Sequence, residues 1–522
     1  MTDRNRIIIV GGGHNGLVCA AYLARAGREV VVLEAADRVG GASVTREFAP
    51  GYRVSACAHL SYLLDAGISR DLRLPEHGLK LAGANLRTIA LNAEGEHLVL
   101  NGGALEGGAL SPEDRKALGE YHAQMLKFAA VLGKQHNRRP PRLGGGGRSD
   151  FLGAALLGLD IRRLGREPMQ EFLRIAGINI YDVLEETFES GLLKGALALD
   201  AVLGTNLGTR SNNSVLALLH RLSGQAGGTP GGVSLPEGGM GAVAEAIAAS
   251  ARASGAKVRT SAAVARITLD GDRVSGVELE GGEKIPAGIV VSNADPARTL
   301  LQLLGARHLE TGFVHRVRHF RSKGMAAKLH LALDGLPDFA RLPAGLVGER
   351  LLIAPDMGYI EAAFDHAKYG RCSPDPALEI SIPSVRDRTL APQGGHVLSA
   401  IVQYAPFDSK ASSDAARAEL LERTLGVLGR YAPALQRHIV ASQLLLPSDI
   451  EREFRITGGH WHHGELALDQ LLMLRPVPGA AQYAMPVNGL YLCGAGCHPG
   501  GGVMGSAGRN AAQAVLDAER AA

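Results

Sequence analysis

The chain has 522 residues, 46% of them hydrophobic and 20% charged, enough apolar material for a large core and more in keeping with two interleaved domains than one. Its 55 Lys and Arg against 52 Asp and Glu leave a formal net charge of +3, which gives no bulk electrostatic case for nucleic acid or an anionic membrane, so partners must be read from local sites. No apolar run approaches the roughly 18 to 20 residues that span a bilayer, which leaves at most a peripheral, greasy docking face.

Cys19, Cys57, Cys372, Cys493 and Cys497 are an odd, scattered set with no C-x-x-C pair, so neither a disulfide framework nor a zinc or thioredoxin-like site is expected. The short, mostly polar stretch 1–5 leaves no room for a secretory apolar region, and a cytoplasmic location follows as an expectation.

In chain order, residues 6–10 are a short apolar strand running into glycines. Residues 16–26 then carry Leu17, Ala20, Ala21, Leu23 and Ala24 at helical spacing. Gly27 stands where a helix ends, and residues 29–34 read as a buried parallel strand with an acidic end, closing a βαβ unit. Residues 138–149, rich in Arg, Pro and Gly, read as a mobile loop or linker.

A second glycine-rich stretch, 227–241, leads into an alanine-rich helix over 242–254. Residues 257–259, 264–269 and 274–279 form a meander broken by Asp270-Gly271-Asp272, and 288–293 return to the first sheet before Asp295-Pro296 opens a helix. Strands over 325–333, 378–382 and 396–402 and a helix over 414–431 belong to a substrate domain. Residues 489–494 make a last buried strand, and a helix is expected over 503–520.

The chemistry starts at Gly11, Gly13 and Gly16, which fit G-x-G-x-x-G with His14 and Asn15 inside the turn. The first glycine allows the tight turn, the second lets backbone approach a diphosphate, and the third lets helix and strand pack closely. Glu34, 18 residues past Gly16 and followed by Ala35, can accept from both ribose hydroxyls. The sequel Arg38-Val39-Gly40-Gly41-Ala42-Ser43, whose glycines let backbone pass close to a dinucleotide, selects FAD over NAD. No second such motif follows a strand, since Gly144 to Gly147 lie in the Pro/Arg loop.

These segments resemble the phytoene desaturase-like branch of the FAD-dependent amine oxidase and carotenoid desaturase superfamily. The match takes in residues 10–17, 37–41, 236–241, 292–296, 489–495 and 498–503. Within that branch the tail and Leu468-Asp469-Gln470-Leu471 are similar to the group named pyridine nucleotide-disulfide oxidoreductase domain-containing protein 2. No redox-active cysteine pair follows the first βαβ unit, so the disulfide half of that group's name has no counterpart here.

The resemblance implies an α/β fold, with a Rossmann-type FAD-binding domain of glutathione reductase type (1–70, 228–300, 485–522) interleaved with a mixed-sheet and helical substrate domain (71–227, 301–484). It implies that Val264 meets adenine through its backbone, that Asn293, Gly494, Ala495, Gly502, Val503 and Met504 belong to the cofactor site, and that residues 503–505 begin a helix facing the flavin pyrimidine. Ala42 and Ala495 depart from the superfamily, where arginine and aspartate are common.

A reaction that also removes a proton needs a titratable group, and the candidates are His498, which precedes Pro499 and the last glycine run, then His462 with His463, and His59. His460 shares the segment 458–464 with the only tryptophan, but with no cysteine or carboxylate pair nearby no metal site is expected.

The function expected is hydride removal from C–H bonds of an apolar, unsaturated small molecule, with oxygen or a quinone taking the electrons. The alternatives are an amine or other small-molecule oxidase, a flavin-dependent isomerase, or a non-catalytic flavin-binding partner.

Overall fold

Ile7, Ile8 and Ile9 are all fully buried, and a strand covered on both faces has to be continuously apolar rather than alternating. In the computed structural model, which describes residues 5–142 and 147–521, this strand, β1 (Arg6–Val10), is the centre of a five-stranded parallel sheet. β1 runs into α1 (His14–Arg25) and returns as β2 (Glu29–Leu33), with Gly27 at φ +78° releasing the helix end. Strands Lys257–Arg259, Ile289–Ser292 and Leu490–Leu492 complete the sheet. Its strands come from the beginning, the middle and the end of the chain.

The helix Gly241–Ala253 covers this sheet through Val243, Ala244, Ile247, Ala248 and Ala251, small side chains that let it pack beside α1. The C-terminal helix Ser506–Ala521 packs on α1 so closely that a Cβ on Gly508 would lie 2.1 Å from the Asn15 carbonyl oxygen.

A second, eight-stranded mixed sheet forms the other half. It orders Ile439–Leu445, Ala326–Leu333, His396–Gln403, Ala377–Ser381, Arg350–Ile353, Thr88–Ala90, Leu98–Asn101 and Ala104–Gly107. Helices between residues 112 and 222 pack against it around Phe128, Ile175, Leu184, Leu199 and Leu219. Among the described residues no helix is long and apolar enough to cross a membrane.

Three sequence expectations need correction. The last helix begins at Ser506 rather than 503, because Gly502 and Gly505 take φ +113° and +86° and hold the intervening backbone out of helical geometry. The stretch 138–149 is not simply a free linker: Arg138 pairs with Asp160 at 2.6 Å, Arg139 pairs with Asp517, and Arg148 already begins a helix. Its residues 143–146 lie outside the described residues. Finally, Asp295 does cap a turn, its Oδ1 accepting from the Arg298 amide at 2.9 Å, but the segment Arg298–Leu303 is wound more widely than an α-helix.

Candidate active site

A cavity of about 720 Å³ lies against the C-terminal ends of β1, β2 and the strand Ile289–Ser292, where the parallel sheet meets the mixed one. This is where open α/β sheets leave room for ligands. Gly11, Gly13, His14, Asn15, Glu34, Ala35, Arg38, Gly40, Gly41, Ala42, Ser43, Val264, Asn293, Ala495, Gly502 and Val503 all line it.

The glycines are there for steric reasons. Gly11 has φ +95°, and a Cβ on Gly13 would stand 2.6 Å from Asn293 Nδ2. Gly16 does not line the cavity; a Cβ there would meet the Gly11 carbonyl oxygen at 2.3 Å, so its work is to seat α1 on β1. Gly494 and Met504 also lie behind the wall, Gly494 against the Asn293 backbone and Met504 fully buried.

Glu34 is held by two backbone donors, Gly12 N–H to Oε2 at 2.6 Å and Ala36 N–H to Oε1 at 2.8 Å, which fixes its carboxylate at the cavity edge. Arg38, Arg46, Arg298, Arg452 and Arg455 share this wall with Glu34, Asp37, Glu47 and Glu453. Ala42 brings no cation, but Arg46, four residues on, does.

Several buried polar atoms of the wall have no partner among the described residues: His14 Nε2, both polar atoms of the Asn15 side chain, Arg46 Nε, and Nδ1 of His462 and of His463. Such atoms are costly unless a ligand satisfies them. The glycine cradle, the anchored Glu34 and these unpaired donors and acceptors fit FAD, with its diphosphate, ribose and polar flavin edge. Burial lowers His14 and His463 to about 4 and holds His462 well below its usual value, so all three rings are neutral near pH 7.

The opposite wall comes from the mixed sheet. Lys328, Ile401 and Glu379 stand opposite one another across three adjacent antiparallel strands and so share one face. Ile401 and Glu379 line the cavity, as do His59, Tyr62 and Arg221. His59 Nε2 is 3.0 Å from Glu379 Oε1, and its Nδ1 is 2.6 Å from Lys328 Nζ.

Behind them Arg350 Nε donates to Glu379 Oε2 at 2.5 Å, Arg221 donates to the same oxygen at 3.0 Å, and both guanidinium groups also reach Asp200. Burial would raise Glu379, but Arg350, Arg221 and His59 hold it well below the usual carboxylate range. Burial pushes Lys328 down to about 7, with Cys57 and Glu379 opposing, and lowers His59 to about 4.

Of the candidate histidines, His59, His462 and His463 border the cavity and His498 does not. The His498 Nε2 turns away to the Gln135 carbonyl oxygen at 2.8 Å, and its own carbonyl accepts from Tyr483 Oη at 2.9 Å. His460 is also set back, with Nε2 3.6 Å from Glu465 Oε2. Among the described residues no group of three or more His, Cys, Asp or Glu is arranged to hold a metal ion.

The loop carrying His462 and His463 is tied down by Arg475. This fully buried side chain donates to the carbonyl oxygens of His462, Gly464, Glu465, Gln470 and Ala495 at 2.8 to 3.3 Å. Sequence reasoning missed Arg475, Lys328, Arg350, Arg221 and Glu379, none of which sits in a recognisable motif.

Residues 16–516 match the family described as flavin containing amine oxidoreductase. The mouse pyridine nucleotide-disulfide oxidoreductase domain-containing protein 2 is 36% identical over 98% of this chain and 93% of its own. A lycopene-forming phytoene desaturase of a Paracoccus species is 28% identical over 59% of this chain and 58% of its own. One chain of the limonene dehydrogenase of Castellaniella defragrans is 25% identical over 98% and 94%.

Among solved structures, cyclohexylamine oxidase from Brevibacterium oxydans superposes with a TM-score of 0.59 at 16% identity, covering 99% of both chains, a likeness of fold. With the cradle, its unpaired polar groups and these matches together, the chain belongs to the flavin-containing amine oxidoreductase family and is an FAD-dependent oxidoreductase.

Proposed function

We propose that this enzyme dehydrogenates an apolar, unsaturated small molecule, taking hydride from a C–H bond and passing the electrons to oxygen or a quinone. The observation that carries the reading is the neutralisation of Glu379. It is the carboxylate of the mixed-sheet wall, and Arg350 and Arg221 already compensate its charge, so it offers no free anion to an ammonium substrate.

Leu60, Leu63, Leu203 and Ile401 line the same cavity and suit a hydrocarbon. Tyr62 is stacked under the Arg221 guanidinium, 4.5 Å from its ring centre, and is not free to form an aromatic cage around an amine. Two of the relatives named above act, by name, on phytoene and limonene, both unsaturated hydrocarbons.

Bound FAD supplies hydride acceptance at its flavin ring. The chain's own residues do the rest. The glycine turn and Glu34 orient the nucleotide, the apolar side chains exclude water, and the Lys328–His59 pair offers a group that gains or loses a proton near neutral pH. The five cysteines are all free thiols and all buried, which suits a reducing compartment such as the cytoplasm.

The test is anaerobic mixing of the holoenzyme with monoterpene and polyene hydrocarbons and, separately, with primary amines. Bleaching of the flavin band by a hydrocarbon, reversed by oxygen or a quinone, is the expected result. Bleaching by amines alone overturns the reading in favour of an amine oxidase. Product without lasting bleaching points to isomerisation, and a flavin that no substrate reduces points to a binding role.

A further inference from the structure

The helix Arg148–Arg162 carries its apolar residues on the outside. Phe151 is 80% exposed, Leu152 58% and Leu159 40%, and Ala155 completes a strip at four-residue spacing along one face. The next helix, Arg166–Ile175, exposes Leu173 at 60%. These are four of the eight large apolar side chains exposed among the described residues, gathered on two consecutive helices, and exposed apolar side chains grouped in this way mark an interaction surface.

Cations bracket the strip. Arg148 stands at one end and Arg162 and Arg163 at the other, with Arg166 just beyond, all exposed. Residues 138–174 hold eight arginines against four carboxylates, and although Arg139 and Arg174 reach Asp517 and Glu186 outside this stretch, a cationic excess remains. The carboxylates of the first helix are also occupied. Asp160 is buried and paired with Arg138 at 2.6 Å and Lys134 at 3.3 Å, and Asp150 accepts from the Gly147 amide at 3.1 Å and from Gln482 at 2.7 Å. Arg148, Arg162 and Arg166 form no ion pair among the described residues.

We infer that this face docks on an anionic phospholipid surface. Phe151, Leu152 and Leu159 enter the boundary between headgroups and acyl chains, and Arg148, Arg162, Arg163 and Arg166 meet lipid phosphates around them. An apolar strip with a cationic border matches a surface that is oily inside and negative outside. A second copy of this chain would instead set the same arginines against each other across a twofold axis.

The test is sedimentation of the holoenzyme with vesicles of phosphatidylcholine alone and of phosphatidylcholine with phosphatidylglycerol. The protein is expected to sediment with the anionic vesicles and to be released by high salt. The double variant Phe151→Asp/Leu152→Asp and the double variant Arg162→Glu/Arg166→Glu should each lower the bound fraction roughly tenfold or more. Both change exposed side chains, so flavin absorbance should stay at the wild-type level and certify the fold. No binding to anionic vesicles, or equal binding by wild type and both variants, overturns the inference. So does a wild-type dimer that the Phe151→Asp/Leu152→Asp variant splits while vesicles bind nothing.

Discussion

Lys328 Nζ lies 2.6 Å from His59 Nδ1 in the fully buried interior of the mixed sheet, at the wall of the flavin cavity. A lysine there is held far below its usual pKa of roughly 10.4, at about 7. Between those two values the unfolded chain carries the proton and the folded chain does not, so stability rises with pH across that window, by at most about 1.4 kcal/mol per unit. In Lys328→Met that rise should vanish. Urea midpoints measured from pH 7 to about pH 9 check this, and equal slopes in variant and wild type would sink it.

Glu379 gives the same sign in a more acidic window. Its folded pKa is depressed, so the stability it contributes is present above about pH 4.5 and is lost as pH falls through the folded value. Glu379→Gln leaves Arg350 and Arg221 short of a buried counter-charge and should cost about 3–5 kcal/mol near pH 7. The deficit should shrink in acid, where the wild-type carboxyl takes up its proton. Chemical denaturation at two pH values measures it.

Two glycines of one motif should fail differently. Gly13→Val forces a side chain against Asn293 at the cavity wall and should weaken flavin binding by about tenfold or more while the protein still folds. Gly16→Ala pushes a Cβ to 2.3 Å from the Gly11 carbonyl oxygen and should destabilise the whole unit by about 1–3 kcal/mol. Flavin titration and thermal unfolding of each variant separate the two effects.

Arg475→Met would strip the donors from five carbonyl oxygens at once and should cost about 3–5 kcal/mol. Because one ammonium cannot reproduce the planar fork, Arg475→Lys should recover only a small part of the loss. Denaturant unfolding reads both variants, and a lysine variant as stable as wild type would refute the argument.

The nucleotide half of the molecule was legible in the sequence because its signals are local. A strand of three isoleucines, glycines at fixed offsets and an acidic residue after the next strand need no knowledge of distant contacts. The last helix was misplaced by three residues because glycine backbone angles, not side-chain periodicity, decide where it starts.

The mixed-sheet wall was hidden for a different reason. Lys328 sits in Ala-Ala-Lys-Leu-His-Leu-Ala-Leu and Glu379 in Ala-Leu-Glu-Ile-Ser, where each reads as a solvent-facing exception. Only the cross-strand register, which sets Lys328 and Glu379 on either side of Ile401, shows that the two point the same way. His498 was favoured for its place in the chain, and its ring in fact binds a helix carbonyl.

The close seat of Gly508 on Asn15 has a bearing on biogenesis. The first strand of the nucleotide cradle, Arg6–Val10, is made long before its last, Leu490–Leu492, and before the helix Ser506–Ala521 that clamps α1. The nascent chain must therefore hold an unfinished parallel sheet, edges open, until those late segments emerge. Cofactor capture then becomes a checkpoint of maturation, and a cell short of riboflavin would meet this protein as a chaperone client rather than as an idle enzyme.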